Sequence, residues 1–278
     1  MKVLFIGTGV MGKPMALHLA KHGVDVTVYN RTYEKALALE PAVKAEKDLK
    51  KAAMDKDLIF SVVGYPSDVK EVYETIIPIA KKGAILVDMT TSSPSLAVRL
   101  YDLALKHNLK MLDAPVTGGD LGAINATLSI MVGGDEDVFK IVLPYLEMMG
   151  KTITYMGAPG SGQNMKLANQ IVIAGNLLGI AEGISFASHK ELDLTKFLNV
   201  IVGGSANSWQ ASVNGKKMIE KDFEPGFYVK HFLKDLRLAI EEFNLGELPI
   251  LKHTEKVLTS LVNEQNEGTQ AEIKYYLK

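Results

Sequence analysis

Lys166, Asn169 and Gln170 stand three and four residues apart near the start of a long apolar run, so on a helix their side chains share one face. One amine beside two amides can move a proton and orient an oxygen. A Lys in such a place either snorkels to water along its methylenes or sits in a pocket where desolvation lowers its pKa. A second set opens the chain: Gly7-Thr8-Gly9-Val10-Met11-Gly12 follows the pattern Gly-x-Gly-x-x-Gly. That pattern allows a tight turn at Gly7, close approach of the backbone to a pyrophosphate at Gly9 and close helix packing at Gly12. A third set is Thr117-Gly118-Gly119, where two glycines after a hydroxyl residue expose backbone N–H groups in a concave turn suited to a carboxylate; a plain structural turn is the alternative.

These sets need elements to position them. Residues 3–6 form a continuous apolar run ending at Gly7, and Met15, Ala16, Leu19 and Ala20 then recur at helical spacing, giving strand, glycine loop and helix. The helix N-terminus faces the anion. Residues 24–29 make the second strand, ending where a dinucleotide-binding unit sets an acid against the ribose 2′-hydroxyl. Asn30-Arg31-Thr32 stands there instead: an amide that does not repel a 2′-phosphate, a guanidinium fork and a hydroxyl donor, which favours NADP. Glu34 is a substitute acid and keeps NAD open.

The strand–helix alternation continues with strands at 58–63, 84–88, 109–114 and 127–132. Their carboxyl ends belong on the cofactor side, which puts Val63-Gly64-Tyr65 and Thr91 there, Thr91 as a nicotinamide-side hydroxyl or a turn residue. Ser92 or Ser93 with Pro94 starts a helix, and Asp135 caps another that runs through Met148 and Met149. Gly160-Ser161-Gly162 opens the Lys166 helix, which runs to about residue 187; helical patterns follow at 195–202, 229–243 and 249–263. The chain therefore reads as an α/β domain, 1–161, with a mostly parallel sheet, joined by a long helix to an all-α domain, 162–278. Trp209 and Phe232 wall a substrate pocket or fill the core.

Composition limits the rest. At 278 residues and 47% hydrophobic, the chain can bury a core in each of two domains. A formal charge of −1 leaves no basic field for nucleic acid or an anionic membrane, so small molecules and further copies of the chain are the expected partners. The absence of cysteine excludes disulfides and thiolate chemistry, and no metal site is expected. It also fits a reducing cytoplasm, and the first apolar run is too short for a signal-peptide core. Residues 171–187 come closest to a membrane span but fall short of the usual length.

Three motifs, residues 7–15, Asp113-Ala114-Pro115-Val116-Thr117-Gly118-Gly119, and Gly160-Ser161-Gly162 leading to Lys166, together resemble the β-hydroxyacid dehydrogenase family over nearly the whole chain. The family includes 3-hydroxyisobutyrate dehydrogenases, tartronate semialdehyde reductases and glyoxylate/succinic semialdehyde reductases, with 6-phosphogluconate dehydrogenases more distant. Lys234-Asp235 looks like the family's late Lys-Asp motif, whose Lys reaches the cofactor. The resemblance implies a Rossmann-like N-terminal domain, an all-helical C-terminal domain and association into dimers or tetramers. Two departures stand out. Thr117 replaces the common Ser, and Gln170 replaces the common Asn four residues after the catalytic Lys, leaving open which of Asn169 and Gln170 faces substrate.

The expected reaction is hydride transfer between NADP, or NAD, and a small β-hydroxy acid. Lys166 can take the hydroxyl proton only when neutral, which needs its pKa to fall from about 10.4 towards roughly 7–8. Two rival readings stand beside it: an imine reductase on the same scaffold with another proton donor, and a cofactor-binding protein without chemistry. Retention of Lys166 and the Thr117 loop argues against both.

Overall fold

The computed structural model describes residues 1–243 and 246–277. The chain divides into two compact units, Met1–Lys166 and Leu167–Lys278, and the division falls inside the helix whose start served above as the domain boundary.

The first unit is built on one nine-stranded sheet. Six strands, β1 (Lys2–Ile6), β2 (Asp25–Tyr29), β3 (Lys44–Ala45), β4 (Leu58–Ser61), β5 (Ile85–Asp88) and β6 (Lys110–Asp113), run parallel in the order β3-β2-β1-β4-β5-β6. Beyond β6 the direction changes. After the short β7 (Val116–Thr117), β8 (Leu128–Gly134) pairs antiparallel with both β6 and β7, and β9 (Gly150–Gly157) pairs parallel with β8. Strands buried on both faces carry continuous apolar runs, as in Leu58-Ile59-Phe60 and Ile85-Leu86-Val87. The chain order reverses between β1 and β4, which is where such sheets open a ligand crevice at their carboxyl ends.

Helices α1 (Gly12–Lys21), α2 (Tyr33–Leu37), α3 (Leu49–Ala53), α4 (Pro66–Ile76), α5 (Pro94–Lys106), α6 (Gly119–Ile124) and α7 (Glu136–Leu146) connect the strands. The apolar side chains form two cores: Phe5, Met15, Leu19 and Phe60 belong to one, and Leu4, Ile59, Tyr73 and Leu86 to the other. Ser93 is the cap of α5, its Oγ accepting from Leu96 N at 3.1 Å, and Pro94 is the first helical residue. Two local expectations need correction. Helix α7 stops at Leu146, and Met149 is a fully buried core residue outside it. Asp135 stands at the N-cap of α7, but its carboxylate accepts from Tyr101 Oη at 2.9 Å. Strand β9 carries the mixed exposure of a sheet edge, a pattern weaker than the apolar runs that mark β4 and β5.

Helix α8 (Ser161–His189) is continuous over 29 residues. An 18-residue window of it has a mean hydropathy of 1.6, so by length and composition it could cross a membrane and the expectation of a shortfall is overturned; Leu177, Ile180, Ala181 and Ile184 nonetheless lie in the core of the second unit. That unit continues with α9 (Leu194–Gly203), a π-helical turn (Gln210–Gly215), α10 (Lys216–Glu220), α11 (Val229–Glu242), α12 (Pro249–Ser260), a 3₁₀ turn (Thr269–Glu272) and α13 (Ile273–Tyr276). Its regular elements among the described residues are all helical.

Candidate active site

The glycine loop lies between β1 and α1. Gly7 has φ +93°, and a Cβ there would sit 2.0 Å from Val62 O; a Cβ on Gly12 would sit 1.9 Å from Gly7 O. Both positions therefore exclude a side chain, one for the turn and one for helix packing. Gly9 differs: nothing lies within 4 Å of its Cβ position, leaving the backbone open to a ligand. Thr8 Oγ1 is buried without a partner, and α1 starts with neither a side-chain cap nor an acid in its first turn. An orphaned hydroxyl, open backbone and uncapped helix N–H groups fit the pyrophosphate of a dinucleotide.

The end of β2 is braced to this loop. Asn30 Oδ1 accepts from Thr8 N at 3.0 Å, and its Nδ2 donates to Thr32 O at 2.9 Å. Arg31 is 83% exposed, and its Nη1 donates to Asp68 Oδ1 at 3.1 Å. Asp68 Oδ2 accepts from Tyr65 N at 3.0 Å, so this one acid both caps α4 and holds Arg31.

Lys166 is 6% exposed, in the second turn of α8. The first turn is tied to the ends of two strands. Asp113, the last residue of β6, accepts from Gly160 N through Oδ1 and from Gln163 N through Oδ2, each at 2.8 Å. Gln163, fully buried, accepts from Ser92 N at 2.9 Å and donates to Thr90 O at 2.7 Å. In the neighbouring loop, Gly118 has φ +126° and Gly119 φ +65°, with Thr117 half-buried before them.

With that geometry in place, likeness to known proteins becomes informative. Residues 2–157 match the model for the NAD-binding domain of 6-phosphogluconate dehydrogenase, and residues 160–276 match that for the NAD-binding domain of NADP-dependent 3-hydroxyisobutyrate dehydrogenase. A probable mitochondrial 3-hydroxyisobutyrate dehydrogenase-like protein of Arabidopsis thaliana is 44% identical over 97% of this chain and 83% of its own. The 2-hydroxy-3-oxopropionate reductase of Escherichia coli is 39% identical over 87% and 84%. The chain belongs to the β-hydroxyacid dehydrogenase family. A solved Mycobacterium tuberculosis 3-hydroxyisobutyrate dehydrogenase with L-serine is 29% identical, covers 98% of both chains and has a TM-score of 0.90. Imine reductases of solved structure lie further off, at 16–18% identity and TM-scores of 0.68–0.69, and share the fold.

The chain is thus an NAD(P)-dependent hydroxyacid dehydrogenase with a Rossmann-type domain. In this β-hydroxyacid dehydrogenase the residues that sequence reasoning missed are buried acids and their partners. Asp88, at the end of β5, accepts from Ser61 Oγ at 2.8 Å and Thr90 N at 3.1 Å, while Ser61 Oγ lies 2.7 Å from Tyr73 Oη. Thr90 Oγ1 accepts from Val63 N at 3.0 Å. Burial pushes Asp88 up to about 6, against the hydrogen bonds from Thr90 and Ser61 and with help from Asp113. Burial likewise pushes Asp113 up to about 6, against the backbone hydrogen bonds it accepts. The two acids are cross-strand neighbours in the β5–β6 register. Each follows an apolar run and precedes a turn; Asp113 also opens the motif that runs to Gly119, but no role was read for it there.

In the second unit, Gln170 is 1% exposed and its Nε2 donates to Asp235 Oδ2 at 2.7 Å. Asn169 is half-buried and its Nδ2 donates to Gln170 Oε1 at 3.0 Å; Lys234 Nζ lies 2.9 Å from Asp235 Oδ1. Phe232 is fully buried among core side chains, edge-on to Phe227, which places it in the core and not on a pocket wall. Trp209 is 61% exposed at the start of the π-helical turn.

Proposed function

We propose that this dehydrogenase prefers NADP and interconverts a small β-hydroxy acid with its semialdehyde or keto acid, of the 3-hydroxyisobutyrate, succinic semialdehyde or glyoxylate type, using Lys166 as general acid and base. The observation that carries the proposal is the burial of Lys166 on a helix whose first turn is bonded to the loop Thr90–Ser92, at the carboxyl end of β5. Gly7 to Gly12, Asn30, Arg31, Thr32, Val63, Gly64, Tyr65, Thr91 and Lys234 would hold the cofactor, which when bound supplies or accepts the hydride at C4 of its nicotinamide. In reduction Lys166 gives its proton to the oxygen that becomes the hydroxyl; in oxidation, neutral, it takes that proton back. Thr117, Gly118 and Gly119 hold the carboxylate. Asn169 or Gln170 orients the reacting oxygen; the two amides are joined to each other, and Gln170, the more buried, is also bonded to Asp235.

Arg31 supports NADP, since a guanidinium fork matches a 2′-phosphate. The imine reductase reading has less support: its solved examples are more distant in sequence and shape, and this chain keeps Lys166 and the carboxylate loop. Association of copies is supported by an exposed apolar line on α8, where Val172 is 61% and Phe186 65% exposed with nothing near the Cβ position of Gly179 between them.

The test is steady-state oxidation of NADPH and NADH with glyoxylate, succinic semialdehyde, methylmalonate semialdehyde and tartronate semialdehyde. The reverse reaction is followed with 3-hydroxyisobutyrate, D-glycerate and L-serine. Turnover with one acid and a preference for NADPH is expected. Lys166→Ala is expected to lower kcat by ~10²–10⁴-fold, the span of a lost general acid–base, with NADPH binding by fluorescence unchanged. Near-normal turnover in that variant would overturn the role of Lys166.

A further inference from the structure

Helix α8 has neither Ser, Thr, Asp nor Asn at the residue before its start; Gly160 stands there, with φ +85°. Ser161 N donates locally to Ala158 O at 3.0 Å, while two further N–H groups are met from far back in the chain. Asp113, 47 and 50 residues before its two partners, accepts from Gly160 N and Gln163 N with both carboxylate oxygens. The packing around this carboxylate leaves no slack. A Cβ on Gly162 would lie 2.5 Å from Met131 O and 2.6 Å from Asp113 O, and one on Gly133 would lie 2.6 Å from Asp113 Oδ1 and 2.7 Å from Gly162 N. Gln163 then spans from this turn to the Thr90–Ser92 loop, its amide both accepting and donating there. Every group in this set is buried, and Gln163 stands three residues before Lys166.

We infer that Gln163 and Asp113 are positioning residues for Lys166. Asp113 fixes the first turn of α8 to the end of β6 and, through Gln163, to the loop after β5, so that the amine and the nicotinamide-side loop hold one distance. The inference rests on the proposed role of Lys166. A buried amide with both its groups engaged costs conformational freedom, and the return here is geometry: a displacement of about 1 Å at a proton-transfer group can cost ~10²-fold in rate. Asp113 acts through the helix and not on the substrate.

The test is a double-variant cycle on the full chain. Gln163→Met keeps length and removes both hydrogen bonds. It is expected to lower kcat by ~10–10²-fold while NADPH affinity and the KM for the acid stay within about twofold, because the lost term is alignment. In the Lys166→Ala background the same change is expected to leave the residual kcat unaltered, since no amine remains to be positioned. An equal fold-loss in both backgrounds would overturn the inference and leave a structural role. Wild-type kcat in Gln163→Met, with Lys166→Ala impaired, would overturn the inference alone; near-normal turnover in Lys166→Ala would overturn the reading beneath it. Should Gln163→Met fail to fold, Asp113→Asn enters the same cycle, with the same non-additivity expected and additivity counting against.

Discussion

Under the proposed NADP preference, Arg31 and Asp68 act against each other. Arg31 offers a fork to a 2′-phosphate, but Asp68 holds that fork at 3.1 Å, and an acid so placed also repels the phosphate. Asp68→Asn keeps an acceptor for Tyr65 N and removes the charge. Its KM for NADPH is expected to fall, with that for NADH unchanged, and by no more than about fivefold because an exposed pair is worth ~1 kcal/mol or less. Arg31→Ala is the opposing control, raising the NADPH value alone. Arg31 was legible in the sequence because it follows the second strand directly. Asp68 was not, because only the fold brings the start of α4 to the end of β2. Phe232 shows the converse: its place just before Lys234 left pocket wall and core packing both open, and helical spacing turns it into the core. The partner that engages Gln170, Asp235, stands 65 residues beyond it and was equally out of reach of local spacing.

At the scale of elements, the ends of β5 and β6 place two buried acids side by side, both raised to about 6 by burial. Since each folded value lies above the ordinary 3.8, the folded state holds these protons longer than the unfolded chain does. Stability therefore falls as pH rises through the window from about 3.8 to about 6, while the clamp on α8 needs Asp113 charged. Activity and stability should move in opposite directions there. The expected measurement is a kcat that declines below about pH 6 while the denaturation midpoint does not. In Asp113→Asn that decline in kcat is expected to be absent, since residue 113 no longer titrates, and the fall in stability is expected to end at lower pH, because Asp88 has then lost its like-charged neighbour. The apolar runs of β1, β4 and β5 and the glycine loop were legible because periodicity and glycine placement are local signals. The antiparallel turn at β8 and the edge strand β9 were not, because pairing direction depends on partners far away in the chain.

For the whole molecule, two core-forming units and a near-neutral charge were readable from composition and the change of period along the chain, though not that the first unit divides its apolar side chains between two cores. One feature of the second unit was invisible there. Glu272 is fully buried, both carboxyl oxygens lack a partner, and burial with the nearby Glu182 pushes its pKa up to about 8. The unfolded chain gives up this proton near 4.5, so the folded state loses stability progressively as pH rises from about 4.5 to about 8. Glu272→Gln should flatten that slope and raise stability most above about pH 8, measured by urea denaturation at a series of pH values. An unchanged slope would mean that the carboxyl is hydrated.

The cap that Asp113 supplies to α8 comes from a residue 47 positions earlier than Gly160, so the N–H groups of Gly160 and Gln163 lack this partner until β6 is in place. Helix ends ordinarily fray, and their amide hydrogens exchange with solvent through small local openings. The amides of Gly160 and Gln163 are expected instead to exchange only when the sheet itself opens, at rates that match those of β6. The amine they precede is then available to chemistry only in a molecule whose sheet is whole, which makes turnover a report on the folding of the first 113 residues.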